Sequence, residues 1–162
     1  IKLDGTMDLA DDCLAALDIV VASVHSGFTQ EREEMTARVL RAIENPHVDI
    51  LGHPTGRMLL KRQAYPIDIE AIIDAAVRTG VAVEINSQPH RLDLIDVHAK
   101  LARARGARIV ISSDSHSQHA LAYLRWGVTV ARRAWLQAGD VLNTQSFDDF
   151  RASLRRHRRP QS

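Results

Sequence analysis

Short β-branched apolar runs alternate along this chain with longer stretches in which apolar residues recur every third or fourth position. Residues 18–24, 48–52, 81–86 and 108–112 are the short runs, and 127–130 is a weaker fifth. Runs of this kind, closed by Gly, Ser, Asn or Pro, predict buried strands. The helical stretches are residues 30–44, 68–79, 94–105, 118–125 and 147–156. In the first, Met35, Val39, Leu40 and Ile43 share one face. In the second, Ile69, Ile72, Ile73, Ala76 and Val77 do, and Gly80 stands where a left-handed C-cap belongs. Strands and helices taking turns in this order predict right-handed crossovers and an α/β fold with a parallel sheet, open or closed into a barrel. In such folds the working residues stand on the loops that follow the strands.

Composition adds limits. The 162 residues make one domain with room for a real core, and aromatics at 4% leave Ala, Val, Ile and Leu to fill it. Lys and Arg number 21 against 20 Asp and Glu, so a net charge of +1 gives no argument for a nucleic-acid or membrane partner. Cys13 is the single cysteine, which excludes an intrachain disulfide and fits a reducing, cytoplasmic compartment. Its helical context predicts a buried or half-buried structural thiol. No apolar run approaches the ~20 residues of a membrane span. The sequence opens on Ile1, in what reads as the end of a strand running into a turn, and an excerpt from a longer chain is expected. Arg151, Arg155, Arg156, Arg158 and Arg159 make a basic C-terminus, read as a solvated helix end.

The strand ends carry the chemistry. The first runs into Val24-His25-Ser26-Gly27, the second into Gly52-His53-Pro54-Thr55-Gly56 and the fourth into Ser112-Ser113-Asp114-Ser115-His116. A lone His near a strand end usually serves a hydrogen bond, and Asp114 alone would suit a helix N-cap. The conjunction points elsewhere: imidazole and carboxylate at three of four strand ends, each beside Gly or Ser, suit Zn, Mn or Fe. His47, His90, His98, His119 and His157 lack this context and are read as structural or solvent-facing.

These motifs resemble the later metal-ligand motifs of the PHP (polymerase and histidinol phosphatase) superfamily. Leu51-Gly52-His53-Pro54-Thr55-Gly56-Arg57, Glu84-Ile85-Asn86 with Arg91-Leu92-Asp93-Leu94, and Trp126-Gly127-Val128 through Trp135 to Asp140-Val141-Leu142-Asn143-Thr144 are similar to the PHP domain of bacterial family X DNA polymerases. The resemblance implies the C-terminal portion of a distorted seven-stranded β/α barrel with parallel strands, residues 1–162 being a partial domain. It implies up to three divalent ions, Mn or Zn, in the intact domain. His25 and His53 match two lone histidines that share one ion with a Glu; Asp114 and His116 match ligands of two others and are the candidate catalytic pair. The early His-x-His, Asp, His and Glu of the family have no match in this sequence, and Glu84 lies in a different motif. Arg57 is the candidate phosphate clamp, with Lys61 and Arg62 able to extend its basic edge.

The function so implied is hydrolysis of DNA phosphodiesters, a 3′–5′ exonuclease of DNA repair in the intact protein, with a polymerase domain upstream in the same parent chain and no membrane partner. Metal-assisted hydrolysis is its mechanism. The alternatives are a stand-alone phosphatase for a small phosphomonoester, like histidinol phosphate, and a metal-free structural module. The chain by itself, lacking most of the ligands, is expected to be inactive, and two open sheet edges are expected to make it self-associate.

Overall fold

The computed structural model describes residues 1–154. Four strands, β1 (Val21–Ala22), β2 (Ile50–Leu51), β3 (Ala82–Asn86) and β4 (Arg108–Ser112), form one sheet in the order β1-β2-β3-β4, and every pair is parallel. Each crossover carries a helix: α2 (Arg32–Glu44), α3 (Ile69–Thr79) and α4 (Asp96–Ala104). A short α1 (Asp11–Ala16) precedes the sheet, and α5 (Leu124–Arg133) and α6 (Phe147–Ser153) follow it. This is the expected α/β alternation with a parallel sheet, consistent with part of a β/α barrel. No helix of the described residues is long and apolar enough to cross a membrane.

Helix boundaries follow local chemistry. The Asp68 side chain accepts from the Ala71 amide and caps α3, and Gly80 closes that helix in the left-handed region. α2 and α3 press Met35, Val39, Ile43, Ile72 and Ala75 against Ala22, Val24 and Leu51. α4 and α5 cover the other half of the same face, where Ala99, Ala102, Val130 and Ala131 meet Val83, Ile85, Ile109 and Ile111. Period-two alternation sends Ala82, Glu84 and Asn86 to the opposite face of β3. There Ile50, Ala82 and Val110 form a small buried cluster against which Leu142 and Phe150 pack. The polar residues stand towards the C-terminal strand ends.

Several expectations need correction. Residues 127–130 are not a strand but the middle of α5. Gly127, Val130, Ala131 and Ala134 are its buried positions, a helical spacing that the β-branched Val128-Thr129-Val130 obscured. A Cβ at Gly127 would collide with the Ser87 Oγ, so glycine lets this helix lie directly on the end of β3. Residues 118–123 form a 3-10 helix that leads into α5. The first two apolar runs pair over only two residues each. Cys13 is exposed, the buried residue of α1 being Leu14. Arg155, Arg156, Arg158, Arg159 and His157 lie outside the described residues; Arg151 reaches Asp18 at 3.9 Å.

One sheet edge is not open. Val141 bridges Ile109 in parallel, and the Asn143 amide completes the row: its Oδ1 accepts from the Ile111 amide at 3.0 Å and its Nδ2 donates to the Ile111 carbonyl at 2.7 Å. A side chain thus stands in for a strand along β4. The β1 edge carries one bond, from the Ile1 amine to the Ser23 carbonyl. Arg38, 2% exposed, holds the N-terminal segment to α2 by donating to the carbonyls of Ile1, Lys2 and Ser26 and to Gln30 Oε1.

Two predictions arise. Asn143→Ala removes both partners of Ile111 and is expected to cost about 1–3 kcal/mol in chemical denaturation, with Asn143→Asp, which keeps the acceptor, costing less. The second concerns Asp93, which is fully buried: burial pushes its carboxyl up to about 6 from 3.8, against hydrogen bonds from Thr55 and the positive charge of Arg57. Between those values the folded chain keeps a proton that the unfolded chain has released, so stability falls as pH rises through that window. Asp93→Asn is expected to flatten that slope by up to about 3 kcal/mol between pH 4 and 7, measured as the difference between native and variant unfolding curves.

Candidate metal centre

The C-terminal ends of all four strands open onto one cleft of about 400 Å³. Val21, Ser23, His25, Gly52, His53, Glu84, Arg91, Asp114 and His116 line it. The four residues expected at a metal site therefore converge, as the strand-end spacing predicts. Their roles as ligands stand as a proposal.

Glu84 is the centre of the polar floor. It is 5% exposed, and its carboxylate accepts from three donors. The His53 amide donates to Oε2 at 2.6 Å, Asn86 Nδ2 donates to the same oxygen at 3.2 Å, and the Ser112 hydroxyl donates to Oε1. Burial raises the Glu84 pKa, and these three bonds oppose that rise. One side chain so ties the loop after β2 to β3 and β4. Gly52 packs closely against the neighbouring strand: a Cβ there would sit 3.0 Å from Val21 Cγ1.

The tie continues outward. Asn86 Nδ2 also donates to Asp114 Oδ2 at 3.2 Å, and Gln88 Nε2 donates to the carbonyls of Ser113 and Asp114, each at 2.8 Å. His116 Nδ1 lies 2.8 Å from the Asp114 carbonyl, and the residue lines the cleft. His53 and Asp114 both hold left-handed backbone, at φ 31° and 46°. Such conformations are disfavoured for non-glycine residues and persist where surrounding bonds over-determine them, as here.

The two histidines differ in setting. His25 is exposed, with Nε2 3.3 Å from the Ser23 hydroxyl. His53 is buried, its Nδ1 without a hydrogen-bond partner, and the two rings lie 5.2 Å apart. Burial, then the charge of Arg91, pushes His53 down to about 4, and His25 is lowered by burial as well. His53 is a neutral imidazole near pH 7, the form that binds a metal. An orphaned ring nitrogen beside a second imidazole fits part of a metal site. It fits only part: among the described residues no three His, Cys, Asp or Glu side chains gather closely enough to hold an ion.

Arg91 is the residue that motif reading left without a role. Its side chain is 14% exposed, its Nε lies 3.7 Å from Asp114 Oδ2, and its NH1 is buried without a partner. Arg57, the expected clamp, does not line this cleft. It donates to the carbonyls of Arg91 and Leu92 at 2.7 and 2.6 Å, and so supports the loop that carries Arg91. His90 and His119 are exposed, and His98 lines a neighbouring cleft. The Arg91 position was legible only as part of a motif, because its partner Asp114 comes from another loop.

No family model matches the chain. The chain is 44% identical over 154 residues, 95% of its own length, to the DNA polymerase/3′-5′ exonuclease PolX of Bacillus subtilis, of which it spans 27%. It is 33% identical over 150 residues to a probable phosphatase of Thermoanaerobacter sp., covering 87% of this chain and 59% of that protein. A probable phosphatase of Clostridium novyi is 35% identical over 120 residues, covering 69% of this chain and 47% of the relative. With a parallel α/β sheet whose strand ends carry His25, His53 and Asp114-x-His116, and with similarity to PolX along nearly its whole length, the chain belongs to the PHP family as a part of such a domain.

Proposed function

We propose that this chain contributes the histidine cleft of a metal-dependent phosphoesterase that hydrolyses phosphodiesters in DNA, as a 3′–5′ exonuclease, within a larger cytoplasmic repair protein that also carries a polymerase domain. The observation that carries the phosphate reading is Arg91, a guanidinium that lines the cleft beside His25, His53 and Asp114. A guanidinium so placed has its hydrogen-bonding fork ready for an anion of phosphate geometry. The likeness to a polymerase and exonuclease supports a nucleic-acid substrate. The probable phosphatases among the relatives support a second reading, a small phosphomonoester as substrate.

His25 and His53 are the residues that would hold an ion, and Asp114 and His116 would contribute to others whose remaining ligands this sequence does not supply. A bound Mn or Zn would lower the pKa of a water and neutralise charge on the phosphate. The chain's own residues do the rest. Arg91 orients a phosphate oxygen. Asn86 and Arg91 hold the Asp114 carboxylate in place, and Glu84 holds the His53 backbone in its strained turn.

The test pairs this chain with a longer parent protein containing it. Calorimetry is expected to show weak binding of at most one Mn by the chain, with negligible cleavage of single-stranded or recessed DNA. The parent is expected to cleave with Mn, Arg91→Ala lowering kcat/KM about a hundredfold and Asp114→Ala abolishing cleavage. Cleavage of p-nitrophenyl phosphate with DNA left intact would overturn the exonuclease reading in favour of the phosphomonoester.

A further inference from the structure

Beside the histidine cleft, on the far side of residues 53–57, lies a second cleft of about 510 Å³. Thr55, Arg57, the hairpin from Met58 to Arg62, Gln63, Ala64, Ile95 and His98 line it. Met58 and Arg62 exchange both backbone hydrogen bonds at 2.8 Å and close a loop of Leu59, Leu60 and Lys61. Leu60 stands at its tip with φ 62° and is 107% exposed. A leucine in left-handed backbone, fully in water, serves neither the turn nor the core.

The surroundings are cationic. Arg57, Lys61 and Arg62 line the cleft, no carboxylate does, and among the described residues none of the three is ion-paired. Asp93 and Asp96 are the nearest negative charges felt by Arg57. Arg62 is fixed by its bonds to the Gly56 carbonyl and by lying 3.7 Å over the Phe28 ring. His98 lines the wall with its buried Nδ1 unpartnered. The hairpin is also rigidly joined to the first cleft: the Leu59 amide donates to the His90 carbonyl at 2.6 Å, and Arg57 holds the Arg91 and Leu92 carbonyls.

We propose that this second cleft is a strand-holding subsite, in which Lys61 contacts the phosphate backbone of a single nucleic-acid strand, within the positive field of the carbonyl-anchored Arg57 and Arg62, while Leu60 packs against an unstacked base. It rests on the phosphodiester reading of the histidine cleft, whose scissile phosphate would lie on the same strand. Cations beside a protruding apolar residue are the combination that contacts backbone and base face together without reading sequence.

The experiment is fluorescence anisotropy of this chain with a labelled short single-stranded oligonucleotide, in EDTA, across a salt series. Lys61→Glu is expected to weaken binding about tenfold and to reduce the salt slope by about 1. Leu60→Gly is expected to weaken binding about threefold with the slope unchanged; because glycine is at ease at this φ, loss of binding by that variant cannot be blamed on unfolding. Native-like binding by both variants, no oligonucleotide binding by the native chain, or equal affinity for inorganic phosphate would overturn the proposal. The two readings fail separately. Cleavage by the parent protein with binding indifferent to Lys61 and Leu60 sinks this subsite alone. Variant-sensitive binding, with no cleavage under any metal, sinks the phosphoesterase reading and leaves the subsite standing.

Discussion

Everything at the strand ends depends on one buried carboxylate. Glu84 takes hydrogen bonds from the loop after β2, from its own strand and from β4, and so fixes the three elements relative to one another. Its side chain is ionisable and nearly fully buried, a placement that costs several kcal/mol unless each oxygen is satisfied. Both oxygens are satisfied. Removing a donor would weaken what offsets the buried charge, so the three bonds support one another. That mutual dependence makes the cleft stiff.

Stiffness is what the remaining residues require. His53 and Asp114 sit in left-handed backbone that an isolated peptide would leave. The Glu84 bond to the His53 amide and the two Gln88 bonds behind Asp114 hold them there. Two side chains that line the cleft keep a nitrogen without a partner. His53 keeps an unpartnered ring nitrogen, Arg91 an unpartnered guanidinium nitrogen, and burial keeps the imidazole neutral. A rigid floor beside unsatisfied buried polar groups marks the cleft as a candidate binding site.

Much of this was legible in the sequence. Residues 81–86 and 108–112 read as strands because both are short, β-branched apolar runs closed by Asn or Ser, and both are buried centrally. The convergence of His25, His53, Asp114 and His116 followed from the rule that strand ends meet. Other features were hidden. Val128-Thr129-Val130 looked like a strand because β-branching is a local signal, while the helical face set by Gly127, Val130, Ala131 and Ala134 needs a longer window. Asn143 as a stand-in strand, and Arg57 as a support instead of a clamp, depend on partners 32 and 34 residues away. Glu84 showed as a polar break in β3, but its three donors come from three separate segments and no local pattern names them.

The central claim is that Glu84 organises the cleft, and the amide proton of His53 reports on it directly. Hydrogen exchange should be followed at that amide in the native chain and in Glu84→Ala, with the core amide of Ile72 as an internal standard. The account predicts protection of His53 in the native chain and at least about tenfold faster exchange in the variant, the loss of roughly one charge-assisted hydrogen bond, with Ile72 little changed. Equal protection of His53 in both proteins would show that the loop is held by something else and would contradict the account.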